Sequence, residues 1–389
     1  MLDNSNNNSS SNSNSSNGVG VALNKDKGIE FLKAVAEKEF RFTLVISYTE
    51  TAEIDGITVA GADKDLVKFT PAADAELLYH GRCKSITSIP ATPDGKPTPA
   101  VITRAMLRLA DIPLTIIDSG SIVKPLVPHY TLSTAHGKSI INGNAMSREE
   151  VEHIYRHSIE LGRVLAKSTN CLVIGESIPA GTTTALAVML AMGIDARFRV
   201  SSSMPNNPHP LKLRVVEEGM RRAGVGFGSL KDRPIDAIAM LGDPMMPCVS
   251  GLAIGATEHA HVILAGGTQM ASILALINAL SDRLDKIAIA TTSYVVNDPT
   301  ADIRYLVKSI TATLIPLIYS DPMLSLSSKQ GLRAYSEGFV KEGVGAGGAC
   351  IAALAKSGFR IDARDILYSI EKEYENTIET PMKSVMSKT

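Results

Sequence analysis

GESIPAGTTTA (residues 175–185) sets small residues and a proline ahead of three consecutive threonines, then runs into the apolar ALAVMLAMG of 185–193. The preceding CLVI (171–174) reads as a buried strand, and the following stretch reads as a helix closed by Gly193. A strand-to-helix turn of this composition leaves backbone N–H groups and hydroxyls free, and a helix start carries partial positive charge. The segment therefore predicts an anion site, with Gly175, Glu176, Gly181, Thr182, Thr183 and Thr184 as candidates for a phosphate. The competing reading is that one threonine caps the helix while the others fill the turn.

From residue 40 onward, short apolar runs alternate with helical patterns. FTLVIS (42–47), LTIID (114–118), CLVIG (171–175), FRVSS (198–202), DAIAML (236–241), HVILAG (261–266) and IAIATT (287–292) are the expected strands. Between them, MSREEVEHIYRHSIELGRVLAKS (146–168) reads as a helix opened by an S-x-x-E capping box of Ser147 and Glu150. LKLRVVEEGMRRAG (211–224) and MASILALINALSDRL (270–284) read as further helices. Repeated strand–helix–strand alternation predicts an α/β fold with a mostly parallel, Rossmann-like sheet covered by helices on both faces.

The expected strands end in small or polar residues: DSGS (118–121), GES (175–177), SSSMPNN (201–207), GDP (242–244), AGGTQ (265–269) and ATTS (290–293). Ligands of open α/β sheets bind outside the carboxyl ends of the strands, and small residues let backbone amides approach them. These ends predict a wide polar crevice, with Ser202, Asp243, Gly266 and Gly267 on its rim. The bland alternative is that strand-to-helix turns favour such residues in any case.

Composition narrows the function classes. The formal net charge of the 389 residues is -1, which offers no basic surface for nucleic acid or an anionic membrane. The absence of Trp argues against a base-stacking single-strand binder. Cys83, Cys171, Cys248 and Cys350 are widely spaced, against a disulfide framework or zinc cluster and in keeping with a reducing cytoplasm. The run VSGLAIGATEHAHVILAGG (249–267) is broken by Glu258, His259 and His261, so no membrane span is expected. Residues 1–18, rich in Asn and Ser, have neither the basic nor the apolar region of a signal peptide and are expected to be disordered. A single α/β domain is expected over 19–375, followed by a polar tail at 376–389.

Several motifs fail on inspection. His136-Gly137-Lys138-Ser139 lacks the first glycine of a P-loop, because Leu132 stands there. EGVGAGGA (342–349) fits G-x-G-x-x-G through Gly343, Gly345 and Gly348, but the preceding RAYSEGFVK reads as a charged helix rather than a strand. Glu342 in that segment precedes a glycine-rich turn and the apolar CIAALA (350–355). It is either a partly desolvated proton-transfer group at a pocket rim or a solvated glutamate at a helix end. His259 and His261 would share one face if extended, yet no third metal ligand lies close in sequence, and no metal site is expected. His129, His136 and His209 are candidates for loops near the crevice.

Together several of these segments resemble the nicotinate-nucleotide–dimethylbenzimidazole phosphoribosyltransferases of cobamide synthesis, and more closely their divergent archaeal and cyanobacterial branch. NGNAMSREE (142–150) is similar to that family's G-P-A-M-T-x-E-x, and GESIPAGTTTA to its G-E-M-G-I-G-N-T-T loop. LKLRVV (211–216) occupies the place of a lysine-bearing segment, which matches Lys212. AGGTQMASILAL (265–276) resembles D-G-F-I-S-T-A-A-A-L-L-A, and VKEGVGAGGA (340–349) resembles L-G-E-G-T-G-A, which sets Glu342 on the family's catalytic glutamate beside Gly343 and Gly345. The resemblance spans roughly residues 97–355. It implies transfer of phosphoribose from nicotinate mononucleotide to an aromatic base such as dimethylbenzimidazole, with inversion, giving an α-linked ribotide and nicotinate. It further implies small-molecule substrates only, no metal or redox cofactor, a homodimer, and a smaller helical subdomain built from both chain ends. Asp243 is a candidate for steadying positive charge on the sugar. Two departures stand out: SIPAG replaces MGIGN in the phosphate loop, and AEIDGITVAGADKDLVKF (53–70) has no clear base-pocket counterpart. A nucleotide-binding regulatory protein on the same fold, or another phosphate-handling enzyme, are the competing readings. The failed P-loop match and the lack of metal ligands count against the latter.

Overall fold

The computed structural model of the chain describes residues 18–61, 64–87, 89–92 and 95–380. The Asn/Ser-rich residues 1–17 and the last nine, 381–389, on which the expected tails largely fall, lie outside them. β1 (Val19–Leu23), α1 (Lys25–Val35) and β2 (Phe40–Ser47) open the fold, followed by α2 (Lys64–Val67), α3 (Thr70–His80) and α4 (Ala100–Leu109). β3 (Leu114–Gly120), β4 (Tyr130–Thr131) and α5 (Arg148–Ala166) lead into β5 (Cys171–Ser177) and α6 (Gly181–Ala191). Three helices follow in succession, α7 (His209–Ala223), α8 (Pro234–Leu241) and α9 (Met245–Ala256), before β6 (His261–Ala265) and α10 (Gln269–Leu280). β7 (Ile287–Thr292), α11 (Ser293–Val296), α12 (Ile303–Ile310) and β8 (Leu317–Ser320) come next. The fold closes with α13 (Gln330–Arg333), α14 (Ala346–Lys356) and α15 (Ala363–Tyr374).

The strands form one sheet of order β1-β8-β7-β6-β5-β2-β3-β4. Every neighbouring pair is parallel except β1 and β8, which run antiparallel with Val19 opposite Ser320. Alternate residues of each strand enter different cores, as the period of two requires. Leu172, Ile174, Val262 and Leu264 face one side with α5–α10 and α12. Val173, Ile263, Phe42 and Leu44 face the other with α1, α3, α4, α14 and α15. Burial on both faces explains why the strands read as near-continuous apolar runs.

The strand order reverses between β2 and β5. β3 and β4 step outward on one side of β2, while β6, β7 and β8 step away on the far side of β5. Such a switch point opens a crevice at the carboxyl ends of the strands.

Two expected strands are not strands. DAIAML lies in α8, where Pro234 sits in the first turn with its φ already suited to a helix. Six apolar residues cannot by themselves separate a strand from a buried helix. FRVSS is irregular, because Phe198 takes a left-handed φ of 58° that breaks an extended run. Asp243 therefore follows a helix, not a strand. RAYSEGFVK is helical only to Arg333 and continues as turns. The capping box of Ser147 and Glu150 is present at the start of α5. β1, β4 and β8 were not anticipated; each is short or lies at the sheet edge, where periodicity is weakest. The helical chain continues beyond residue 375 through Glu379 and buries Thr377. Among the described residues no helix is long and apolar enough to cross a membrane.

Candidate active site

A pocket of about 1000 Å³, mouth included, lies at the carboxyl ends of β5, β6 and β7. Of the residues singled out from sequence, Glu176, Gly181, Thr182, Ser202, Gly267, Glu342 and Gly343 line it. They come from four turns: β5 into α6, the irregular stretch before α7, β6 into α10, and the turn before α14.

One end of the pocket is the start of α6. Ala180 takes a left-handed φ of 64° and turns the chain into the helix, whose first residues, Gly181 and Thr182, line the pocket. The three threonines divide their roles. Thr182 lines the pocket, and its Oγ1 accepts from Lys212 Nζ at 2.9 Å. Thr184 points inward and donates to Asp243 Oδ2 at 2.6 Å. Thr183 is buried, with its hydroxyl unpartnered. Lys212, on α7, is buried behind the wall and also donates to the Ser201 carbonyl at 2.6 Å. Burial, reinforced by the nearby Lys341 charge, pulls its ammonium down to about 7.

The carboxyl end of the pocket is built from Glu176 and Glu342. Glu176 Oε1 accepts from Gln269 Nε2, and its Oε2 accepts from the Ile178 amide at 3.0 Å. Burial first, then the charges of Asp243 and Glu342, raise it to about 8. Glu342 accepts from the amides of Gly343 at 3.1 Å and Gly347 at 3.2 Å, and burial holds it at about 7. It keeps part of its surface open to the cavity. The turn carrying Glu342 is strained: Val340, Lys341 and Val344 all have positive φ. Its ties are correspondingly many. Lys341 Nζ pairs with Asp298 Oδ2 at 2.7 Å, both side chains buried, and Asp298 also accepts from Ser201 Oγ. Thr292 Oγ1 donates to the Lys341 carbonyl at 2.6 Å, and the Val344 amide donates to the Glu176 carbonyl at 3.0 Å. Lys212, Ser201, Asp298 and Lys341 thus link the start of α6 to Glu342 in one continuous network.

The remaining candidates stand behind the wall. Gly175 and Gly345 press together, since a Cβ on Gly175 would meet Gly345 backbone at 3.2 Å. Gly266 turns the chain after β6, with Met270 against it. Asp243 caps the start of α9 through the Met245 and Met246 amides, and burial raises it to about 6. It does not line the pocket, because α8 ends where a strand was expected. Among the described residues no histidine lines the pocket either: His136 meets Glu50, His209 begins α7 and His261 packs edge-on against Phe31. Among the described residues no three His, Cys, Asp or Glu side chains gather to hold a metal.

Sequence reasoning missed the opposite wall. Ile57–Gly61, Pro90, Pro97, Thr98, Pro99 and Asp74 line it, together with Ser177. The trace was present in PAADAELL (71–78), two carboxylates, Asp74 and Glu76, inside an otherwise apolar helical stretch. The 53–70 segment, which matched no known base pocket, supplies part of this wall.

A family model described as phosphoribosyltransferase matches residues 100–296. The chain is 48% identical over 344 residues to a UPF0284 protein of Archaeoglobus fulgidus, covering 88% of this chain and 96% of the relative. It is 44% identical over 329 residues to a UPF0284 protein of Methanothermobacter thermautotrophicus, covering 83% and 90%. Its fold resembles the crystal structure of the nicotinate-nucleotide-dimethylbenzimidazole phosphoribosyltransferase of Thermus thermophilus, with a TM-score of 0.57 at 16% identity over 88% of this chain and 91% of that one. The chain belongs to the phosphoribosyltransferase family, within the branch formed by its archaeal UPF0284 relatives.

Proposed function

We propose that this protein transfers the phosphoribosyl group of nicotinate mononucleotide to an aromatic base, releasing nicotinate and an α-linked ribotide. The observation that carries the reading is one pocket lined both by a helix start, backed by a buried lysine, and by two carboxyl groups whose proton affinity is raised to near neutrality.

The 5′-phosphate rests on the amides at the start of α6 and on Thr182, with Lys212 supplying charge from behind. The acceptor enters from the Asp74 wall. Its ring nitrogen attacks the anomeric carbon from the face opposite the pyridinium, which takes the bonding electrons and leaves as nicotinate. Glu342, with a proton affinity close to working pH, removes the acceptor's N–H proton. Positive charge on the sugar develops near the Glu342 carboxylate, where a water-poor setting strengthens the attraction, while Glu176, held at about 8, stays mostly protonated. Holding both reactants in one crevice supplies much of the remaining acceleration.

The test is to incubate the protein with nicotinate mononucleotide and a panel of aromatic bases, then separate the products. The reading expects nicotinate and ribotide in equal amounts, with the ribotide's anomeric proton showing the α configuration by NMR. Tight mononucleotide binding without transfer to any base, or release of inorganic phosphate, would contradict it.

A further inference from the structure

The transfer chemistry leaves one buried group in the pocket unused. Asp74, on α3, lines the cavity with both carboxyl oxygens engaged: Thr98 Oγ1 donates to Oδ1 and Ser177 Oγ donates to Oδ2, each at 2.7 Å. It forms no ion pair among the described residues. Because both hydroxyl protons are directed at the carboxylate, the trio presents only acceptor lone pairs to the cavity. The pocket it lines also carries Ile57, Val59, Pro97 and Pro99, aliphatic surface suited to a flat ring. A ligand edge made of methyl groups would strip water from Asp74 and return nothing, whereas an N–H or O–H edge would replace that water.

We propose that Asp74, with Ser177 and Thr98, determines the specificity of the acceptor subsite, selecting a bicyclic aromatic base that carries a hydrogen-bond donor on its six-membered ring. The donor is an amino, ring N–H or hydroxyl group. This rests on the transferase reading and deepens it. The competing role for Asp74 is structural, a tie joining α3 to the start of α4 and the end of β5. The two roles separate cleanly, because a tie serves every base alike.

The experiment measures kcat/KM for an aminobenzimidazole, a hydroxybenzimidazole, adenine and dimethylbenzimidazole at fixed nicotinate mononucleotide, in wild type, Asp74→Asn and Asp74→Ala. Wild type is expected to prefer at least one donor-bearing base over dimethylbenzimidazole by about 100-fold. Both variants should lose most of that preference, with kcat/KM falling far more for the donor-bearing bases than for dimethylbenzimidazole. Preference of the wild type for dimethylbenzimidazole, or an equal loss for all bases in soluble variants, would overturn the proposal. Should wild type turn over no base, the transferase reading fails by itself. Calorimetric titration of the same bases then decides the Asp74 claim: tighter binding of donor-bearing bases that disappears in Asp74→Ala supports it, and indifference overturns it.

Discussion

Lys212 shows how a single residue links stability to ligand binding. Its ammonium is buried on two neutral acceptors, the Thr182 hydroxyl and the Ser201 carbonyl, with no carboxylate in direct contact among the described residues. A bound phosphate would complete that charge. Lys212→Met should therefore stabilise the unliganded protein by about 2 kcal/mol at neutral pH while weakening mononucleotide binding at least about tenfold. Calorimetry of folding and of binding would check the two halves separately. The sign of the pH dependence follows from linkage. A lysine held at about 7 when folded, against 10.5 in the open chain, leaves the unfolded state with more protons between those values, so its contribution to stability rises with pH there. Glu176 and Glu342 act oppositely. Their raised values of about 8 and 7 give the folded state more protons above 4.5, so their stabilisation is complete in acid and lost as pH climbs toward 8. Glu176→Gln should flatten the fall in Tm between pH 5 and pH 8; an unchanged slope would place those protons elsewhere.

At the scale of elements, α14 and the turn before it hold Glu342 in place. The Gly347 amide donates to the carboxylate, and a Cβ at this position would meet the Thr291 backbone at 2.1 Å. Gly347→Ala should destabilise the protein by about 3 kcal/mol and lower turnover, read by denaturant unfolding and steady-state kinetics. The Lys341–Asp298 pair holds the same turn from its other side, at a backbone φ of 38° that favours glycine. Lys341→Met should reduce kcat more than it changes mononucleotide affinity, because the pair ties Glu342 without facing the ligand. This element also shows what was legible in the sequence. The Glu342 segment stood out by its glycines and the apolar run behind it, but its ties to Asp298, Thr292 and Ser201 come from distant parts of the chain. DAIAML misled for a related reason: apolar content announces burial, while the choice between helix and strand rests here on Pro234 and on neighbouring helices.

At the scale of the molecule, the alternation of strands and helices foretold a two-faced parallel sheet, and strand ends rich in small residues foretold a crevice. Both follow from local rules, since period and turn chemistry are written within each segment. The switch point between β2 and β5 is not local. It depends on which strands pair, and it brings Asp74, Ser177 and Glu342 into one cavity although they lie far apart in sequence. Asp74 could be noticed as an odd charge in an apolar helix, but its partners could not be read from that helix. The central claim is that this cavity performs base-dependent phosphoribosyl transfer through Glu342. The direct measurement compares wild type with Glu342→Gln for turnover and for mononucleotide affinity. The account expects kcat to fall by about 1000-fold while the Kd for nicotinate mononucleotide stays within about threefold. Normal turnover in the variant would contradict it.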